Sequence, residues 1–195
     1  MSVTNLATDG AMQYTRGMSD LKVIVISGLP GSGKSTVAES IAKRLLLPLF
    51  SVDPIESSII KSGIARSFET GLAAYFVAET LAKEQLRTGI SVIIDAVNPV
   101  KEARGMWRNV STAHNAKLIL IECVLDRNLH QQRIENRVRG MYSIPEVKWV
   151  DVEKQRRGYQ PWEEDRLILD TANDAGINIV KVLEYISASG DNKLQ

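Results

Sequence analysis

The sequence predicts a three-layer α/β fold, with helices packed on both faces of a parallel sheet, and three observations carry that prediction. Five short runs, Val23–Ser27, Leu47–Val52, Ser91–Asp95, Lys117–Val124 and Arg166–Asp170, are mostly apolar, and several are rich in Val and Ile. They lack the clean alternation of a one-sided sheet and read as strands buried on both faces. Between them lie stretches with helical spacing, so strand and helix alternate along the chain. The third observation is Gly28-Leu-Pro-Gly-Ser-Gly-Lys-Ser35, which fits the phosphate-binding pattern G-x-x-x-x-G-K-[ST] and stands between the first strand and the first helical stretch.

In chain order, residues 1–20 are polar, lack the apolar core of a signal peptide and read as a flexible N-terminal tail. In the loop after the first strand, Gly28, Gly31 and Gly33 let backbone N–H groups turn inward as an anion nest, which Leu29, Pro30 and Ser32 complete. The helix that opens there adds partial positive charge. Lys34 is placed to reach the β- and γ-phosphates, and Ser35, followed by Thr36, to offer a hydroxyl to Mg²⁺. The loop therefore points to a bound nucleoside triphosphate, with Mg²⁺.

The second strand runs into Asp53-Pro54. Asp53 reads either as a helix N-cap with Pro54 at the first helical position, or as a carboxylate that orients an acceptor hydroxyl and takes its proton. Glu56, one turn on, reads as a solvated side chain. Ser67–Arg87 is a helical stretch whose wide apolar face carries Leu72, Tyr75, Phe76, Ala78, Leu81 and Leu86. Asp95 ends the third strand, where phosphate-loop enzymes hold Mg²⁺ through water, and Asn98 follows. Val100–His114 is a further helix. Cys123 lies within an apolar run and reads as a core residue. A single cysteine permits no internal disulfide, which suits a reducing cytoplasm.

Asp126–Arg157 differs in character. Arg127, Arg133, Arg137 and Arg139 follow in quick succession, then Gly140 and Pro145, then a second charged helical stretch. Two helices joined by such a loop read as a lid over about residues 127–157. Arg133 and Arg137 stand four apart on one helix face, suited to phosphate oxygens; Arg137 is the catalytic candidate and Arg133 a nucleotide-binding one. His114 and His130 lack metal-ligand spacing. Trp107, Trp149 and Trp162 read as packing or lid residues, with Trp162 able to shape an acceptor pocket. Ser187–Gln195 reads as a C-terminal tail, leaving one domain over residues 21–186.

The net charge of +1 supplies no bulk attraction to nucleic acid or anionic membrane, and no apolar run approaches the ~20 residues of a membrane helix.

Together these motifs resemble the small-molecule kinase branch of the P-loop kinases, which includes gluconate kinase, shikimate kinase, adenylylsulfate kinase, chloramphenicol phosphotransferase and the kinase domain of polynucleotide kinase. The likeness is greatest to a broad group of ATP-binding kinases with no assigned acceptor. It spans about Leu21 to Ile186 and implies a five-stranded parallel sheet in the order 2-3-1-4-5 with a mobile lid. It implies Asp53 as the base and likens Ile94-Asp95-Ala-Val-Asn98 to the strand-three end of polynucleotide kinase. It also likens Arg133-Ile-Glu-Asn-Arg137 to paired lid arginines, and Leu169-Asp170-Thr171 to the strand end bordering adenine. The lid lacks the Gly-His-Phe-Met of gluconate kinase, and the Gly-Gly pair of shikimate kinase is missing, so neither substrate transfers.

The leading expectation is an ATP-dependent kinase acting on a hydroxyl of a small polar molecule. A nucleoside monophosphate kinase is the nearest rival, because Arg66 stands after strand two. A polynucleotide 5′-hydroxyl kinase and a non-catalytic ATP-dependent switch are the others; neither a basic, aromatic-interleaved stripe nor a partner-sensing loop is evident.

Overall fold

The computed structural model describes residues 21–136 and 146–189. The expected N-terminal tail, the lid residues Arg137, Arg139, Gly140 and Pro145, and the end of the C-terminal tail lie outside the described residues. The order is β1 (Lys22–Ser27), α1 (Lys34–Leu45), β2 (Leu49–Ser51), α2 (Val52–Lys61), α3 (Phe68–Arg87), β3 (Val92–Asp95), α4 (Lys101–Ala113), β4 (Lys117–Val124), α5 (Arg127–Glu135), α6 (Trp149–Gly158), β5 (Leu167–Asp170) and α7 (Ala175–Ala188). All five strands are parallel, in the order β2-β3-β1-β4-β5.

Successive residues of a strand face opposite sides, so a strand covered on both faces must be apolar throughout. Val23 and Val25 of β1 pack with Val92, Ile94 and Leu120 beneath α3 and α4, whereas Ile24 and Ile26 pack with Ile93, Ile119 and Ile121 against α1 and α7. The register sets Ser51, Asp95 and Ile26 level, so the ends of β2, β3 and β1 form one edge. Right-handed crossovers leave that carboxyl edge open to ligands.

Three expectations change. The N-cap of α2 is Ser51, so Asp53 is the second helical residue and Pro54 the third. A proline fits anywhere in a first turn, because those N–H groups have no intrahelical partner to lose. On α3 the buried line is Ala74, Ala78, Ala82 and Leu86, while Phe68, Leu72, Phe76 and Leu81 are exposed. Small residues at four-residue intervals let the helix lie close to its neighbours, which turns the larger side chains outward. At the C-terminus, Asp174 caps α7 by accepting from the N–H groups of Gly176 and Ile177, and the helix runs through Ser187 to Ala188 before ending.

A residue passed over in the sequence holds the loops at this edge together. Arg104 is 2% exposed. Its Nε donates to the Asn98 carbonyl, its Nη1 to that of Pro161, and its Nη2 to that of Gln160 at 2.7 Å. The guanidinium lies 4.0 Å from the Trp162 ring centre and 5.3 Å from that of Tyr159. Arg104→Met retains the stem and removes the donors, leaving buried carbonyls unpaired. It is expected to lower unfolding free energy by at least about 2 kcal/mol, read from urea denaturation at unchanged slope.

Candidate functional site

The glycine loop closes over the end of β1. Gly28 lies where a Cβ would come within 2.5 Å of both the Cys123 carbonyl oxygen and Ser32 Oγ, so no side chain fits. Gly33 caps α1 at φ +89°, in the left-handed region that favours glycine, and a Cβ there would crowd Thr171. From behind, Thr171 Oγ1 donates to the Ser32 carbonyl at 2.7 Å, tying the loop to the end of β5. The first N–H groups of α1, from Lys34 to Thr36, are left facing the cradle, an arrangement that could hold phosphate.

At the centre of the edge the Lys34 ammonium is 3.9 Å from Asp53 Oδ2 and 3.9 Å from Asp95 Oδ1. Lys34 is 3% exposed and Asp95 5%, whereas the Asp53 side chain is 25% exposed. The two carboxylates thus differ: one is sealed in and the other opens outward. Asp95 Oδ2 accepts from Ser51 Oγ at 3.2 Å, while its buried Oδ1 accepts no hydrogen bond. That oxygen, 3.9 Å from the Lys34 ammonium and without a hydrogen bond, fits a Mg²⁺ held through water. Among the described residues no group of three or more His, Cys, Asp or Glu side chains could hold a metal ion.

Asn98 is a fixed point rather than a ligand group. It is fully buried at φ +50°, its Nδ2 donates to Ser27 Oγ at 2.8 Å, and its Oδ1 accepts from Trp107 Nε1 at 2.9 Å. Its own N–H donates to the Tyr75 hydroxyl at 3.0 Å. Burial raises the Tyr75 phenol well above its ordinary value, so it stays neutral beside Asp53 and Asp95. Cys123 is likewise inert: burial, with the Asp95 charge, pushes its thiol up to about 12.

Helices α5 and α6 meet the loop through side chains. Arg133 on α5 donates from Nη2 to the Thr171 carbonyl at 2.8 Å and from Nη1 to Thr171 Oγ1 at 3.2 Å. Arg133 and Thr171 line, with Gly31, Gly33 and the first turns of α1, a cavity of about 480 Å³, within the usual range for a small-molecule site. Arg127 pairs with Glu153 at 2.9 Å, facing α6 instead of the cradle. Arg137 lies outside the described residues.

His130 and Arg156 were the residues missed. His130 is 2% exposed, its Nε2 2.7 Å from the Pro30 carbonyl and its Nδ1 3.0 Å from Arg156 Nη2. Both contacts are satisfied together only by the neutral imidazole with its proton on Nε2. One ring therefore links the phosphate loop to both lid helices, with Trp149 packed edge-on at 5.5 Å. Burial holds the imidazole below its ordinary value; the Pro30 carbonyl opposes this, and the charges of Arg156 and Arg133 reinforce it.

Residues 23–162 match the AAA domain family, and the chain belongs to it. The chain is 25% identical over 165 residues to a protein of Aeropyrum pernix named "Probable adenylyl-sulfate kinase", covering 78% of this chain and 84% of that one. It resembles the APS kinase of Mycobacterium tuberculosis, solved with AMPPNP and APS, at a TM-score of 0.66 and 19% identity over 87% of this chain and 98% of that one. A sugar kinase from Janibacter superposes with a TM-score of 0.65 at 18% identity, over 86% of this chain and 95% of the other. At these identities the solved structures share the fold, which is that of the P-loop kinases. No helix among the described residues is long and apolar enough to cross a membrane.

The His130 contacts set a pH dependence. Its folded-state value is depressed below the unfolded one, so its contribution is complete above pH ~6.5 and is lost as pH falls through the folded value. Wild-type protein is expected to lose thermal stability between pH 7 and 5.5. His130→Gln, which carries a donor for Pro30 and no titrating group, should flatten that slope; an unchanged slope would contradict this account.

Proposed function

We propose that this AAA-domain chain is an ATP-dependent kinase that transfers the γ-phosphoryl group to a hydroxyl of a small polar molecule. The observation that carries this reading is the outward-opening Asp53 carboxylate, 3.9 Å from the loop lysine at the carboxyl edge of the sheet. A hydroxyl is a poor nucleophile until its proton departs, and a carboxylate at that position supplies the acceptor for the proton. An ionised phosphate acceptor, as in a nucleoside monophosphate kinase, needs no base and would be repelled. Arg66, the residue that favoured that rival, is half-exposed and lies 3.7 Å from Glu56.

In this reading the loop from Gly28 to Thr36 holds the phosphates, chiefly through the backbone N–H groups of Gly31 and of Gly33 to Thr36, and Lys34 faces the β- and γ-oxygens. Mg²⁺, when bound through Ser35 and, via water, Asp95, neutralises charge on the phosphates. Asp53 orients the acceptor hydroxyl and takes its proton late in transfer. Arg133 and Thr171 border the adenine-side cavity, and Arg137 is assigned to the charge spreading over the transferring group. The reading includes a kinase domain over residues 21–186 with its lid at about 127–157, acting in a reducing cytoplasm and independent of nucleic acid and membrane.

Lys34→Ala should abolish ADP formation in protein that is still folded by circular dichroism but has a lowered Tm, because Asp95 loses its buried cation. Asp53→Asn keeps shape and ATP affinity and is expected to lower kcat at least about 100-fold, the lower estimate for general-base catalysis. Loss of stability with retained turnover would make Asp53 a structural residue of α2. Arg137→Ala should lower kcat more than it raises KM for ATP, because the contact is made in the transition state.

A further inference from the structure

A second pocket of about 190 Å³ sits beside the phosphate cradle and shares no lining residue with the larger cavity. Gly28, Leu29 and Ser32 of the loop, Glu122 of β4, Arg156 of α6 and Tyr159 supply its walls. One hydroxyl there, Ser32 Oγ, is buried without a hydrogen-bond partner, Ser32 being only 2% exposed, and the Tyr159 hydroxyl is buried beside the Trp162 indole. Burying an unpaired hydroxyl is costly, and such groups in a folded protein call for an occupant. Burial and the Glu122 charge push the Tyr159 phenol up to about 12, so it stays neutral and can both donate and accept.

The charges around the pocket are already matched among the described residues. Arg156 donates from Nε to Glu153 at 3.0 Å and from Nη2 to His130. Glu122 accepts from Arg166 Nε at 2.6 Å. Lys34 lies between Asp53 and Asp95. Among the described residues, a carboxylate or phosphate entering here would meet Glu122 and find no uncommitted guanidinium fork. A neutral hydroxyl-bearing molecule finds a donor in the remaining N–H groups of Arg156, an acceptor in Glu122, and both in Ser32 and Tyr159.

We infer that this pocket binds an uncharged, polyhydroxylated acceptor, an assignment that rests on the kinase reading. Isothermal titration of the full chain with AMPPNP and Mg²⁺ tests it, using glucitol and myo-inositol against gluconate and glucarate. The neutral polyols should bind more tightly than the carboxylates. Tyr159→Phe and Ser32→Ala should each weaken polyol binding about three- to tenfold, the range for one neutral hydrogen bond, with AMPPNP affinity unchanged in Tyr159→Phe. Tighter binding of the carboxylates, no polyol binding (water as the only occupant), or polyol affinity indifferent to both variants overturns the assignment. ADP release separates the two readings. Polyol binding without ADP formation removes the kinase and leaves the pocket, whereas turnover with carboxylated acceptors in preference removes the pocket and leaves the kinase.

Discussion

A lysine ammonium sealed between two carboxylates at the edge of a parallel sheet is the interaction on which the rest of this structure depends. Burying Lys34 alone would be prohibitive, so the fold must bring anions to it. It does so through strand order. With β3 between β1 and β2, the carboxyl ends of three adjacent strands converge, and Asp53, Asp95 and the loop lysine meet although they are distant in sequence. The all-apolar strands below them leave polar groups only at the edge, so function collects where packing ends.

The loop is held from both sides. Thr171 braces the Ser32 carbonyl from β5, while His130 takes the Pro30 carbonyl from α5. Arg133 and Arg156 attach to these same two braces, so each described lid helix is bonded to a residue that grips the loop. A change in lid position would therefore be felt at the cradle through Thr171 and His130.

Much of this was legible in the chain. Parallel buried strands write themselves as Val/Ile runs, and the glycine loop is specified by residue type and spacing, so sheet and cradle could be read directly. The boundaries of α2 could not, because a proline is tolerated anywhere in a first turn. Nor could all of the buried face of α3: Ala78 and Leu86 are core as the spacing indicates, but packing adds Ala74 and Ala82 and leaves Leu72, Phe76 and Leu81 outside. Arg104, His130 and Arg156 were opaque for another reason: each acts through contacts with backbone carbonyls or a ring nitrogen up to 100 residues away, and nothing local distinguishes such a side chain from a solvated one.

The central claim is that the edge of Lys34, Asp53 and Asp95 serves transfer to a hydroxyl. Its most direct test is the chemical nature of the bond made. Phosphorus NMR of the protein incubated with ATP, Mg²⁺ and a mixed metabolite extract reports this without knowledge of the acceptor. The account predicts a new proton-coupled phosphomonoester resonance growing in step with ADP. Growth of inorganic phosphate alone, or of a new phosphoanhydride doublet from nucleoside diphosphate, would contradict it.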